Sequence, residues 1–374
     1  MDQVLENRRN GVLVIAGNSI TGFGSSMYLV ALLAFVTTEM PHPANIGFLQ
    51  AAAYIPIVLF SVTAGFFADR GKRVMIIAGS DLLRSLFLSL CALSLLLMPA
   101  VHPLVFIIPM VFLNGVMQSF FMPAVISFIL DYQRYASAGE SPTRSVRRRP
   151  DLLSLRTGSG HLASLIGQSI GAGLYIVLGI VPMLFINAAS FLLSGVSELF
   201  LTDSRKRKPA GGVRHSFKGV LRELYRAESN GAPILLYLFA QAAGAAVLVN
   251  LPFFLTQRHL FPPSYLGFAM AALFGGSILS GIFLGVRGNR PAATSGYIAA
   301  IISAMGLVGA SLLPVGNGPG GIAGLLPLLM ISGGGMGWLH IVTLHWVYHL
   351  GKQESAASRQ GFLEAAGTAV LPAS

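Results

Sequence analysis

Asp81 and Arg84 are the one opposite-charge pair set well inside a long apolar stretch of this chain. A spacing of three residues puts both on one helix face. Ionisable groups in such surroundings are functional candidates by default. Their place near one end of the stretch favours a structural ion pair over proton carriage. Three histidines, His340, His345 and His349, fall in another apolar stretch. His345 and His349 share a face, as a metal pair would. No carboxylate or cysteine lies near them in sequence, so the expectation is no metal and no cofactor. The single cysteine, Cys91, excludes an intramolecular disulfide and a cysteine metal cage. There is no P-loop, no G-x-S-x-G, no H-E-x-x-H and no dinucleotide loop after a strand, so no enzyme chemistry is expected.

The remaining candidates are neutral polar residues at helical spacing. Asn18, Thr21 and Ser25 lie at i, i+3 and i+7, and Asn114 and Gln118 at i and i+4. Gln241 sits mid-depth in the seventh apolar stretch. His161 and Gln168 share a helix face and could line a path or tie helices together. Polar faces flanked by apolar sequence avoid lipid and turn to protein or water. Such residues bind small molecules by hydrogen bonding or tie helices together. As a set with His340 they form a candidate substrate pathway.

The elements that must hold these residues are read from composition. The 374 residues are 54% hydrophobic and only 10% charged, against about 25% charged in a soluble domain. The apolar residues form ten blocks, near 11–36, 46–68, 74–98, 103–130, 152–178, 180–201, 233–256, 264–286, 292–314 and 321–349. Each approaches the roughly 20 residues that cross a bilayer core. The first is too long for a signal peptide and has no cleavage site after a short core.

The formal net charge of +11 is not a nucleic-acid footprint. Lys and Arg fall almost wholly in alternate gaps: Arg8 and Arg9, then 70–73, 134–156, 205–226, 287–290 and the tail. The exceptions are Arg258, in an opposite gap, and Arg84, inside a block. Positive residues stay cytoplasmic during insertion, so the N-terminus is expected inside. In the most basic gap, residues 213–228 read as an amphipathic helix suited to an anionic membrane surface.

Residues 66–73 (F-F-A-D-R-G-K-R) and 283–290 (F-L-G-V-R-G-N-R) match at four of eight positions, an offset of 217 between Phe66 and Phe283. The same offset carries the first block onto the seventh and the fourth onto the tenth, so two parallel halves are expected. By that offset Ser374 corresponds to residue 157. The second half is therefore expected to lack two helices, with 361–374 reading as the start of an eleventh. A native ten-helix form would call for a partner chain. The expected divisions are 1–201, a basic linker 202–232, and an incomplete half 233–374.

Gly65-x-x-x-Asp69-Arg70-Gly71-Lys72-Arg73, between the second and third blocks, resembles the signature loop of the major facilitator superfamily, one residue short between Arg70 and Gly71. Asp81-Leu82-Leu83-Arg84 resembles the branch with enterobactin exporters and macrolide efflux pumps. Gly167-Gln168-Ser169-Ile170-Gly171-Ala172-Gly173 resembles the antiporter motif, with Gln168 and Ala172 departing from it. The resemblance implies an all-α polytopic bundle of two pseudo-repeated six-helix halves. Helices one, four, seven and ten would line a central cavity, and small residues would pack helix five on helix eight. Asp69 would latch onto helix eleven, or Arg70, Lys72 and Arg73 would serve only as topology anchors. An acidic residue in helix one is common in that branch, and here Ser25 takes its place. Proton coupling would then rest on Asp81, Glu198 or a histidine. The function implied is export of a small amphipathic molecule, drug or siderophore-like, across the inner membrane, with substrate and membrane lipids as partners. A lysophospholipid facilitator and a truncated, non-transporting sensor or partner are the alternatives.

Overall fold

A computed structural model describes residues 2–70, 73–137, 152–202, 247, 250–258, 261–287, 293–312 and 319–349. Nine helices are described: α1 (Asp2–Glu39), α2 (Pro43–Arg70), α3 (Arg73–Leu97), α4 (Leu104–Ser137), α5 (Leu152–Leu178), α6 (Ile180–Glu198), α7 (Tyr265–Arg287), α8 (Ala293–Leu312) and α9 (Pro319–His349). A π-helical turn, Phe254–Arg258, precedes α7. No strand occurs among the described residues. Helices α1 to α6 are the first six apolar blocks and α7 to α9 the eighth to tenth. Most of the seventh block, the basic linker with its amphipathic stretch, and the segment 361–374 lie outside the described residues.

Eight described helices are long and apolar enough to cross a membrane. In α2 the described apolar stretch is shorter, Ala44–Ile57. Large apolar side chains such as Leu59, Leu97, Val177, Met305 and Leu312 point outward. Water would penalise that surface and lipid does not. Backbone N–H and C=O groups pair within each helix, as a lipid environment demands. Internal prolines, Pro56, Pro109, Pro123 and Pro327, sit within helices; neighbouring helices make such breaks tolerable in a bilayer. Pro43 begins α2, where its missing N–H is no loss. A single residue, Gly179, joins α5 to α6 at φ 78° and ψ 177°, a conformation only glycine takes freely.

The packing shows the repeat. α4 packs on both α2 and α3, and α9 packs on both α7 and α8 in the same manner. The 217-residue offset carries Arg70, the last residue of α2, onto Arg287, the last of α7. Small residues make both close crossings. A Cβ built on Gly115 of α4 would lie 2.5 Å from the Ala53 carbonyl of α2. Likewise one on Gly333 of α9 would collide with the Leu273 carbonyl of α7. At the α7–α9 crossing Ser277 donates to the Gly333 carbonyl at 2.7 Å. In α8 and α9 the hydroxyls of Ser303 and Ser332 meet at 3.3 Å.

Among the described residues the halves meet chiefly at one end. The end carrying the α1–α2, α3–α4 and α5–α6 connections, here the distal end, has one apolar cluster fed by both halves. Val30, Leu33 and Met183 of the first half join Leu255, Leu266 and Leu325 of the second. The opposite, basic end has a smaller cluster, Val14, Ile77, Phe121, Val125, Phe128 and Leu201 among it, whose described members all belong to the first half. Between halves the principal described contact is α5 on α7. There Gly267 abuts the backbone carbonyls of Gln168 and Ser169.

Candidate functional site

The polar residues of the first half gather where α1, α3, α4, α5 and α6 converge near the basic end. Asp81 is 0% exposed and Arg84 is buried beside it, their Oδ1 and Nη1 3.4 Å apart. The expected ion pair on one face of the third block is therefore present. Arg84 also donates through Nη2 to Gln118 Oε1 on α4. Its guanidinium lies between two aromatic rings, 5.0 Å from the centre of Phe121 and 5.2 Å from that of Phe191. Ring faces attract a cation most where water is excluded. The arginine thus has an anion, an amide oxygen and two π faces in place of solvent.

Two further buried charges belong to the same cluster. Glu198 closes α6 and is 4% exposed, and Arg156 lies in the first turns of α5, also buried. Arg84 and Arg156 both act electrostatically on Asp81 and Glu198. Ser194 Oγ donates to Glu198 Oε1 at 3.3 Å. Asn18 of α1 donates from Nδ2 to the Arg156 carbonyl at 2.9 Å. Gly17 of α1 lies against Ser194 so closely that a Cβ there would be 2.8 Å from Oγ. Gly195 likewise lets α6 reach Leu82 of α3. Two carboxyls and two guanidiniums thus face one another in a space that small residues make tight. Burial of charges on this scale is stable only when they compensate one another.

Sequence reasoning did not bring Arg156 and Glu198 into this cluster. Arg156 counted among the topology-setting charges, and Glu198, near a helix end, was named only as one place where proton coupling could rest. The signal that would have found them is depth. Asp81, Arg84, Arg156 and Glu198 all sit near the same end of consecutive blocks, with signs that balance.

The signature loop straddles the α2–α3 junction. α2 carries Gly65, Asp69 and Arg70 in its last turns, with their side chains outside the described residues, as are Gly71 and Lys72 entirely. Arg73 is 2% exposed and donates from Nη1 to the Ser127 carbonyl of α4 at 2.9 Å. It is no free surface charge: it joins α3 to α4.

Among the expected pathway residues, four are hydrogen-bonded to protein groups. Asn18 is tied to α5, and Gln118 to Arg84. Asn114 donates to the Met110 carbonyl at 2.9 Å and to its sulfur at 3.1 Å; Tyr28 of α1 reaches the same sulfur at 3.9 Å. Thr21 bonds the Gly17 carbonyl of its own helix at 3.0 Å, and Ser25 is half-buried. His161 is exposed, while Gln168 is buried at the α5–α7 seam. Gln241 lies outside the described residues. His340, His345 and His349 belong to α9, but their side chains lie outside what is described. Among the described residues no group of three histidine, cysteine or acidic side chains could hold a metal. Cys91 is free and buried.

A bundle of apolar helices in two repeated halves, with a described seam of small residues between them, defines a multi-pass membrane protein of the transporter class. The sequence profile of the Major Facilitator Superfamily matches residues 14–372, and the chain belongs to that family. It is 22% identical over 355 residues to the uncharacterized MFS-type transporter YfiS of Bacillus subtilis (strain 168), covering 90% of this chain and 78% of that protein. Among solved structures, a mutant of the nucleoside transporter NupG superposes with a TM-score of 0.71 at 15% identity, over 96% of this chain and 89% of that one. A bacterial homolog of the human lysosomal transporter Spinster, inward-facing and unoccupied, gives 0.65 at 15% identity, over 98% of this chain and 81% of that one.

Proposed function

We propose that this chain is a secondary transporter of the inner membrane that exports a small amphipathic molecule, drug- or siderophore-like, by alternating access. The observation that carries the reading is the uneven meeting of the halves. They share an apolar core at the distal end, and among the described residues no such core joins them at the basic end. On this proposal the distal end is the sealed side and the basic end the accessible one, which rocking of repeated halves would exchange. The Lys and Arg distribution makes the basic end and the N-terminus cytoplasmic. On this reading the open side faces the cytoplasm, where an exporter loads.

The substrate class follows from what α1 and α4 present. Between Asn10 and Ile129 their described mid-helix side chains are neutral; Asn18 and Gln118 are bound to the buried cluster, which leaves Thr21, Ser25, Tyr28 and Asn114. Asp81, Arg84, Arg156 and Glu198 are locked in the buried cluster. A site of this kind favours a ligand with apolar bulk and hydrogen-bonding groups over one needing a counter-ion. The direction of transport, and the kinship with enterobactin and macrolide exporters, are supported by the Gly65–Arg73 and Asp81–Arg84 patterns. The nucleoside transported by one structural neighbour suits a neutral polar cavity equally, so it belongs in the assay.

The test is transport by the purified chain in liposomes under a proton gradient, a sodium gradient and none. A lipophilic cation, a macrolide, a siderophore, a lysolipid and a nucleoside are offered in turn. Export of any of the first three above empty liposomes supports the reading. Movement of the nucleoside or the lysolipid alone replaces its substrate class, and movement of none overturns it.

A further inference from the structure

Glu198 is the one member of the buried cluster without a cationic hydrogen-bond partner among the described residues. Asp81 Oδ1 has Arg84, but Glu198 Oε1 receives only the Ser194 hydroxyl, and its Oε2 accepts nothing. Asp81 Oδ2 is also without a donor. Ser194, which donates to Glu198, lies beside the Asp81 carboxyl as well. Two carboxyl groups therefore flank one hydroxyl, and a hydroxyl has one proton to give. Each carboxyl is left with an oxygen that water cannot reach. An ionised carboxylate in that position forgoes both hydration and hydrogen bonding, a cost the protein avoids by binding a proton. One added proton supplies the missing donor.

We propose that Asp81, Ser194 and Glu198 form a proton-binding site, separate from the transport cavity, that holds one exchangeable proton on Glu198. The proton comes from water at the basic end, where Glu198 closes α6, and returns to it. Among the described residues the charged groups facing the site are Asp81 and Arg84 from α3 and Arg156 from α5. α6 contributes Glu198 itself. From α1 come Gly17 and Asn18 and from α4 Gln118, none of them titratable. His161, on α5, is exposed. Loading sets the charge at the point where α1, α3 and α6 are in closest contact, so the packing of the first half responds to cytoplasmic pH. The site does not depend on which molecule is carried or in which direction.

The experiment is infrared difference spectroscopy of the full chain in lipid, titrated from acid to alkaline pH with no substrate present. The expected result is a carbonyl band of a water-excluded carboxylic acid that disappears as one group on alkalinisation. Glu198→Gln abolishes it, while Ser194→Ala keeps it but moves its frequency, because the carbonyl loses its hydroxyl donor. Should Glu198→Gln fail to fold, the wild-type titration and the Ser194→Ala shift decide the matter. Absence of any such band in the wild type, or a band that Ser194→Ala leaves in place, overturns the proposal. Transport failure leaves it standing, and a missing band leaves the exporter reading standing.

Discussion

Adding one methyl group to Gly171 should loosen the first half, while the same change two residues on should not. Gly171 of α5 lies on α1, the most extensively contacted pair among the described helices. A Cβ at Gly171 would be 2.5 Å from the Met27 carbonyl oxygen and 3.1 Å from its Cα, whereas one at Gly173 meets nothing within 4 Å. Ordinary contact begins near 3.4 Å, so α1 must retreat by about 0.9 Å. The obstacle is backbone, and no side chain can rotate away to make room. Overpacking of this kind costs about 1–3 kcal/mol. Gly→Ala also gains about 1 kcal/mol of helix propensity, but both sites gain it and it cancels in the comparison. Gly171→Ala should therefore be roughly 1–3 kcal/mol less stable than Gly173→Ala. The assay is reversible unfolding in mixed micelles, read by helicity. Equal stability of the two variants would refute the account of the α1–α5 crossing.

Arg84→Met strands Asp81 in the interior and should cost about 3–5 kcal/mol in the same assay, most of it recovered when Asp81→Asn is added. Phe191→Leu removes one of the two rings over the guanidinium and should cost about 1–2 kcal/mol beyond lost packing, an excess that vanishes in an Arg84→Met background. Asn18→Ala removes one interhelical hydrogen bond and should cost under about 1 kcal/mol, since such bonds average about 0.6 kcal/mol in membranes. In a Cys91→Ser chain, a cysteine at exposed His42 should react with an impermeant maleimide from outside whole cells, and one at exposed Arg9 only after lysis. The reverse pattern would invert the orientation assigned from charge.

The helices were legible because lipid imposes a length and an apolar composition that write themselves into the sequence. The repeat was legible because the Phe66–Arg73 and Phe283–Arg290 segments kept their glycine and arginines, and the offset fell on the ends of α2 and α7. The Asp81–Arg84 pair was legible because its members share a helix. Arg156 and Glu198 were not, since periodicity gives the face of a helix but not the neighbour that face meets. Arg73 read as a surface charge for the same reason: only the approach of α4 brings the Ser127 carbonyl to it. Asn18 and Gln118 showed as polar positions, yet their partners, Arg156 and Arg84, lie on other helices.

For a transporter working as proposed, the distal cluster shared by the halves has a consequence for how affinity will look from each side. Parting the distal cluster returns large side chains such as Leu266 and Leu325 to water. Two of them cost about 3–6 kcal/mol before new contacts at the basic end are made in exchange. Uncompensated, even the lower figure holds the distally open conformer below about 1% of molecules. A ligand that needs that conformer binds with its affinity reduced by the same fraction, while one arriving from the basic end meets the prevailing form. Inside-out and right-side-out vesicles should then give different apparent dissociation constants for a single site.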